Sequence, residues 1–463
     1  MVSGRRSIFL AVALLALTLP SVAEARKHKP HLTRVRCVPP KAKSCLHGVK
    51  VTIGRQLQFS GRGIHKRMRV SFRWSRGALA TRMKHTRVGY VARVPAGTRA
   101  GRVWVRVSRR GRYSNAKRIR VLAPPAPPAP PTAPGALPDA FRGNGMWIWE
   151  VSRSEGGDPA AIAARAQAAG ISTVFVKSSD GATSRWTQFS PELVAALHAY
   201  GLRACAWQFV YGNDPLGEAA LGADAVADGA DCLVIDAEST YEGKYAAAQQ
   251  YIYALRAAIG SAYPLGLTSF PYVDYHPRLP YSVFLGPGAA QVNLPQVYWK
   301  DIGGTVDAVS AHTLAHNRIY GAPIAPLGQL YQDPDPADIA RFRSLWAAYG
   351  SAGLSWWSWQ ATGEPEWAAL AQPVAPLAEA IPDPGWPALA RGSKGDQVVW
   401  LQQHLASADP TVAVTTTFDA ATDAALRRFQ AAHALPVTGT TDALTWQAVL
   451  TLPVMPVSWT EQR

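Results

Sequence analysis

Between about residues 145 and 360 the chain repeats one beat. A short run that is apolar on both alternating faces is followed by a Gly, Pro or Asp break, and then by an Ala-rich stretch with apolar residues at helical spacing. Eight such runs occur, at 145–151, 173–177, 203–210, 232–236, 264–269, 292–299, 324–330 and 353–359. Runs without a polar face are what parallel strands look like when helices cover them. The intervening stretches predict amphipathic helices, for example over 159–169, 191–200, 245–259 and 336–349. Eight strand–helix units in roughly 230 residues have the length and rhythm of a (β/α)8 TIM-type barrel, placed at 141–380. A doubly wound open sheet is the competing layout, but no Gly-x-Gly-x-x-Gly turn follows the first strand.

The pattern changes on either side. Over 31–122 it becomes period two, as in Arg69-Val-Ser-Phe-Arg-Trp and Arg102-Val-Trp-Val-Arg-Val-Ser, with Arg at the outward positions. That predicts a small β-sandwich. Residues 123–140 carry the run Ala-Pro-Pro-Ala-Pro-Pro, which predicts an extended polyproline spacer. Residues 386–452 return to helical spacing and predict a separate small helical domain. At the start, Arg5 and Arg6, an apolar stretch to Pro20 and the small-x-small site Ala23-Glu24-Ala25 read as a signal peptide over 1–25. The expected class is therefore multidomain, with no transmembrane segment left after signal cleavage and a secreted or wall-associated location.

Composition sharpens this. The formal net charge is +17, yet no acidic residue lies between Glu24 and Asp139, a region with more than two dozen Lys and Arg. The sandwich is strongly basic and the rest is net acidic, so the two halves meet different partners. An anionic wall polymer or lipid surface fits the basic half, against the blander reading of a charged solubilising face. Nucleic acid is not expected as the partner of an exported protein. In an oxidising compartment Cys37 and Cys45 are expected to close a short disulfide loop. Cys205 and Cys232 lie in apolar runs and read equally as buried thiols or a second bridge. No Cys/His cluster has zinc spacing, so no metal and no cofactor is expected.

Barrels of this kind place chemistry at the C-terminal ends of the strands. Those ends supply Glu150, Lys177, Asp180, Gln208, Asp236, Glu238, Ser269, Gln296, Tyr298, Gln329, Tyr331, Trp357, Trp359 and Gln360. The fourth run, Cys232-Leu-Val-Ile-Asp-Ala-Glu, ends in two acids spaced i, i+2. On a strand these share a face, with Cα atoms roughly 6.5–7 Å apart. Paired carboxyls held in different environments are what general acid catalysis on a glycosidic bond requires. Glu238 is expected to be the raised, proton-donating member and Asp236 its helper. Tyr298, Trp299, Trp357 and Trp359 are candidates to stack on sugar rings, with Glu150, Lys177, Asp180, Gln208, Gln296 and Tyr331 as further substrate contacts. The competing reading is barrel packing for the aromatics and a structural ion-pair network for the acids.

Several stretches resemble known families. Glu150-Val-Ser-Arg-Ser-Glu-Gly-Gly-Asp, Phe175-Val-Lys-Ser-Ser-Asp-Gly, Asp236-Ala-Glu238 and Trp359-Gln360 resemble the strand-end motifs of glycoside hydrolase family 25, the Chalaropsis-type lysozymes. The resemblance implies Glu238 as general acid and Asp236 as support for the substrate acetamido group. Glu150 stands where that family has Asp. Asp231, Asp236 and Glu238 also resemble part of the Asp-rich fourth-strand motif of chitinase-type barrels, with Val234 a departure. Leu389-Ala-Arg-Gly-Ser-Lys-Gly-Asp-Gln-Val, Phe418-Asp-Ala-Ala-Thr, Ala425-Leu-Arg-Arg-Phe-Gln and Leu435-Pro-Val-Thr-Gly resemble the peptidoglycan-binding type 1 domain, departing from it at Thr415-Thr-Thr-Phe, and the resemblance implies a small three-helix domain over 386–452. Val94-Pro-Ala-Gly-Thr with Val103-Trp-Val-Arg-Val resembles immunoglobulin-like domains of the IPT/TIG type. Together these imply an exported, lysozyme-like hydrolase of peptidoglycan or a related wall glycan, with wall binding at its C-terminus. The alternative is a non-catalytic wall-binding surface protein with a degenerate hydrolase barrel.

Overall fold

The computed structural model describes residues 29–38, 49–53, 55–95, 97–122 and 137–459. The expected signal peptide, most of the Pro-rich spacer and Cys45, hence the Cys37–Cys45 pairing, lie outside them. Two compact units separate, one within 29–122 and one within 137–459.

The first unit is built from two sheets. One runs His31–Cys37, Gln56–Arg62, Gly89–Arg93, Lys84–Thr86 in spatial order. The other runs Lys50–Thr52, Lys117–Leu122, Gly101–Arg109, Arg69–Trp74, Gly77–Arg82, with Arg112–Tyr113 paired to its central strand. The alternation read from the sequence holds. In Gly101–Arg109, Val103, Val105 and Val107 are buried while Arg102, Trp104 and Arg106 face outward. Both sheets contribute to one core, in which Leu57 and Phe59 of the first meet Phe72 and Val105 of the second.

In the second unit eight parallel strands close into a barrel: β1 (Gly143–Ile148), β2 (Ile171–Asp180), β3 (Arg203–Val210), β4 (Leu233–Ala237), β5 (Leu265–Ser269), β6 (Val292–Val297), β7 (Leu327–Gln329) and β8 (Gly353–Trp357). The ring closes where Gly143–Met146 of β1 pair with Gly353–Trp356 of β8. All eight expected runs form strands. The seventh is shorter than its 324–330 run, because Pro326 has no N–H for the ladder.

The surrounding helices are α1 (Pro159–Ala168), α2 (Pro191–Ala199), α3 (Pro215–Ala227), α4 (Tyr245–Ile259), the single turns α5 (Tyr281–Phe284) and α6 (Trp299–Ile302), then α7 (Val306–Asn317), α8 (Pro336–Ala348) and α9 (Glu364–Ala371). Four of them start on one device. Asp158, Ser190, Asp214 and Asp335 cap a first-turn N–H while Pro occupies the first position, where its missing N–H costs nothing.

The floor of the barrel is plugged by the turn Asp139–Phe141, whose Phe141 sits among Phe175, Cys205, Val292 and Leu294. Small residues make room for it. A Cβ on Gly353 would lie 1.8 Å from the Phe141 carbonyl oxygen, and one on Gly266 would lie 2.6 Å from Leu294. Cys205 and Cys232 face this interior and are joined as a disulfide, so the second of the two readings of these thiols is correct.

Three further helices follow: α10 (Asp396–Ala408), α11 (Ala420–Ala432) and α12 (Ala443–Val449). Their core, which includes Leu401, Leu405, Leu426 and Trp446, is continuous with the outer core of the barrel. The seam is polar and specific. Asp396 accepts from the Ser282 N–H (2.8 Å), the Ser282 hydroxyl (2.6 Å) and the Tyr320 hydroxyl (2.8 Å), and Trp400 donates to the Ile319 carbonyl (2.6 Å). The Thr415-Thr-Thr-Phe departure is held by Gln402, which accepts from the Thr415 N–H at 2.7 Å and donates to the Thr417 carbonyl at 3.0 Å. Gln430 does the same work one helix later, on Gly439 and Thr440.

Candidate active site at the barrel mouth

Strand parity decides what faces the barrel axis. In β3 the inward positions are Cys205, Trp207 and Phe209, and they align with Phe175, Lys177 and Asp180 of β2 across a bulge at Ser178. On the other side Trp207 aligns with Val234, and Phe209 with Asp236. Glu238, two residues on, lies just past the end of β4 on the same face. Asp236 and Glu238 thus rise from the floor toward the mouth, as their spacing implies.

Gln296 of β6 joins the pair, its amide lying 3.1 Å from Glu238 Oε1 and 3.4 Å from Asp236 Oδ1. The two carboxyls differ in surroundings. Asp236 is buried, while Glu238 is half-buried. Burial first, then the Glu238 carboxylate beside it, push Asp236 well above the usual carboxylate range. Lys177 pulls in the opposite direction. A raised carboxyl is thus found at Asp236, the member inside the strand and sealed from water.

Lys177 is itself buried, salt-bridged to Asp180 at 2.8 Å. Its ammonium lies over the rings of Trp186 (4.8 Å), Trp207 (4.8 Å) and Trp149 (5.5 Å). The Tyr211 hydroxyl donates to the other Asp180 oxygen at 2.8 Å, and that bond, with burial second, raises the phenol to about 12. Trp357 of β8 meets Trp207 edge-on at 5.4 Å and Trp149 at 6.2 Å. On the far side Tyr298 and Tyr331 meet edge-on at 5.4 Å. Burial, and then Asp236, hold the Tyr298 phenol well up. The mouth is thus an acidic centre ringed by indoles and phenols, a surface suited to sugar rings.

Of the expected residues, Lys177, Asp180, Asp236, Glu238, Gln296, Tyr298, Tyr331 and Trp357 converge here. Four do not. Gln208 points out of the barrel and donates to the Glu218 carbonyl of α3, because it is one residue off the inward parity of Trp207 and Phe209. Trp299 starts α6 and stacks on Phe342 in the outer shell at 5.3 Å. Trp359 is buried against Trp367 of α9 at 4.9 Å. Glu150 pairs with Arg153 at 3.9 Å, and the inward position beside it belongs to Trp149. Gln360 holds that corner by donating to the Glu150 carbonyl at 2.7 Å. Gln188 donates to the carbonyls of Trp149 (2.7 Å) and Lys177 (3.0 Å). Trp149, Trp186, Trp207 and Tyr211 were missed. Parity counted from Trp147 and Cys205 would have found Trp149 and Trp207; Trp186 and Tyr211 lie on loops and carry no such signal.

The family model described as "Putative peptidoglycan binding domain" matches residues 394–449, which span α10 to α12. No curated protein sequence matches the chain. Among solved structures, a chitinase from Chromobacterium violaceum is similar at 14% identity over 50% of this chain and 98% of that one, with a TM-score of 0.37. The spore cortex-lytic enzyme SleL of Bacillus cereus is similar at 12% identity over 57% and 78%, TM-score 0.37. A family 25 glycosyl hydrolase from Bacillus anthracis is similar at 13% identity over 34% and 71%, TM-score 0.25.

Proposed function

We propose that the protein is an exported glycoside hydrolase of peptidoglycan or a related wall glycan, with residues 1–25 as leader and the C-terminal helices as the wall-binding part. The observation that carries it is the Asp236–Glu238 pair, bridged by Gln296 inside a cup of Trp and Tyr. Burial and the neighbouring Glu238 carboxylate favour a proton on Asp236, and a proton held at this pair supplies the acid that glycosidic cleavage needs. Glu238, the outer member, donates that proton to the leaving oxygen as its bond to the anomeric carbon breaks. Asp236 holds the substrate acetamido group, whose oxygen attacks that carbon, and water completes the hydrolysis. The peptidoglycan-binding match over 394–449 supports the choice of wall glycan over other polysaccharides.

The basic unit is read as the contact to an anionic wall polymer. A groove of about 880 Å3 on the outer face of its larger sheet is lined by Trp74, Trp104 and Tyr113 together with Arg73, Arg76 and Arg106. Guanidinium groups pair with phosphate or carboxylate while the rings stack on sugars.

One observation favours a second reading. Glu150 is paired with Arg153 and leaves β1 without an acid at the mouth, as a wall-binding protein with a degenerate barrel would tolerate. Release of reducing ends from purified cell walls decides between them. The wild type is expected to release them and Glu238→Gln to lose at least 100-fold. A wild type inactive on walls and on soluble glycans refutes the hydrolase.

A further inference from the structure

We propose that Asp274, His312 and His316 form a binding site for a divalent transition metal of the zinc type, on the flank of the barrel where α10 packs. His312 and His316 are four residues apart on α7, so both side chains leave the same face one turn apart. Their rings lie nearly parallel, 15° between planes and 4.6 Å between centroids. Asp274, from the connection between β5 and α5, brings its carboxylate to 2.7 Å from His312 Nε2 and 3.8 Å from His316 Nδ1. One ligand atom from each of the three lies within 4.8 Å of the others.

Tetrahedral zinc with bonds of about 2.0–2.2 Å needs ligand atoms roughly 3.4 Å apart. The Asp274 oxygen stands at 2.7 and 3.8 Å from the two nitrogens, on either side of that spacing. The donor set selects the class of ion. Two imidazoles and one carboxylate suit zinc and its neighbours, whereas calcium and magnesium take oxygen ligands.

The surroundings fit a site rather than a lone ion pair. A cleft of about 320 Å3 lined by Asp274, His316, Lys394 and Gln397 opens beside the three residues, with room for ion entry and for water as the fourth ligand. Gln397 of α10 faces His316 Nδ1 at 3.2–3.4 Å and also donates to the His316 carbonyl at 3.2 Å, which fixes that turn. Metal at His316 Nδ1 would take the place of the Gln397 amide at that nitrogen and leave Gln397 on the His316 carbonyl. Linear spacing hides the set, because Asp274 precedes His312 by 38 residues and neither Cys nor a second carboxylate marks it.

Gln397 belongs to the C-terminal helices and the three ligands to the barrel, so bound metal would be felt across their seam. Metal that binds the folded chain alone also raises its melting temperature by mass action.

The experiment uses the full chain without an affinity tag, and zinc and cobalt as probes. Titration calorimetry is expected to show one zinc per chain at micromolar affinity, and cobalt to give the visible absorption of a tetrahedral site. His312→Ala/His316→Ala is expected to weaken zinc at least tenfold and abolish the cobalt band. Asp274→Asn is expected to weaken zinc by a smaller factor. Circular dichroism first establishes that each variant is folded without metal; His312→Gln serves if the double variant is not. A wild type that takes up no zinc overturns the proposal, and so does a folded double variant that binds as the wild type does.

Discussion

The side-chain amide of Gln296 sits 3.1 Å from Glu238 Oε1 and 3.4 Å from Asp236 Oδ1, so one residue of β6 holds both carboxyls of β4 in register. Its removal should act on rate rather than on folding. Gln296→Ala is expected to lower kcat by roughly one to two orders of magnitude, the scale on which small misplacements of catalytic groups act. Gln296→Glu adds a third carboxylate. That raises the proton affinity of the pair and moves the alkaline limb of the pH–rate profile upward. An unchanged profile in Gln296→Glu would count against a catalytic proton held at this pair.

Lys177 offers an independent test of the same electrostatics. Its charge lowers the proton affinity of Asp236, against burial and Glu238, which raise it. Lys177→Met keeps an unbranched chain against the three indoles and deletes the charge. Asp236 then holds its proton more tightly, and the alkaline limb should shift to higher pH while the melting temperature falls only modestly. A limb that stays in place would show that Lys177 serves structure alone.

The Cys205–Cys232 bridge closes 27 residues between adjacent strands of the barrel interior. Closing a loop of that length restricts the unfolded chain by about 3–4 kcal/mol. Cys205→Ala/Cys232→Ala is expected to lose stability on that scale in urea unfolding, with activity retained at temperatures well below the transition. Because neither residue contacts Asp236 or Glu238, a loss of activity in a folded variant would mean the bridge also sets the geometry of the mouth.

Much of this was legible in the chain and some was not. The eight strands could be read because each is a bounded apolar run, and the helices because the Ala-rich stretches between them keep apolar residues at helical spacing. Which residues face inward was harder. A parallel barrel buries both faces of each strand, so no polar–apolar alternation tells inside from outside. A one-residue error then exchanges the faces. Gln208 was chosen where Trp207 and Phe209 face in, and Glu150 where Trp149 does. The i, i+2 acids escaped this error, because burial at the fourth strand's end leaves only one face open to two charged groups. Trp299 and Trp359 could not be told from Trp357 by type; only the turns α6 and Trp359–Ala361 carry them out of the mouth.

The basic groove predicts a different phenotype from the barrel. Arg73 and Trp104 are cross-strand partners on the outer face, as are Ser71 and Arg106, and Trp104 is 50% exposed. Trp104→Ala with Arg106→Ser should weaken cosedimentation with walls that keep their anionic polymers. Binding to walls stripped of them should not change, since the C-terminal helices are untouched. The salt dependence of binding should also flatten, because fewer ion pairs form. Equal loss on both wall preparations would refute the assignment, and tight binding of single-stranded nucleic acid instead would transfer the groove to that partner.

The seam between the barrel and the C-terminal helices carries its own pH signature. Asp396 is fully buried, and burial raises its carboxyl to about 6 despite the hydrogen bonds from Ser282 and Tyr320, which lower it. In the unfolded chain an Asp titrates near 3.9. Between about pH 4 and pH 6 the folded protein therefore holds a proton that the unfolded chain has released. Stability from this group falls as pH rises through that window and is level above it. The shift corresponds to about 2–3 kcal/mol, to order of magnitude. The sign is opposite to that of a salt-bridged carboxylate, which gains stability as pH rises, and does so at lower pH, up to about 4. Asp396→Asn keeps the shape and removes the titration. Urea unfolding at pH 4, 5, 6 and 7 should then give a wild-type minus variant difference that declines from pH 4 to 6 and flattens. The amide oxygen can take the place that accepts from the Ser282 N–H and Tyr320 hydroxyl, and the Ser282 hydroxyl can turn to accept from the new NH2, so the variant should still fold. A difference that stays constant with pH would mean that Asp396 remains ionised in the seam, where the three hydrogen bonds would then have to outweigh its loss of water.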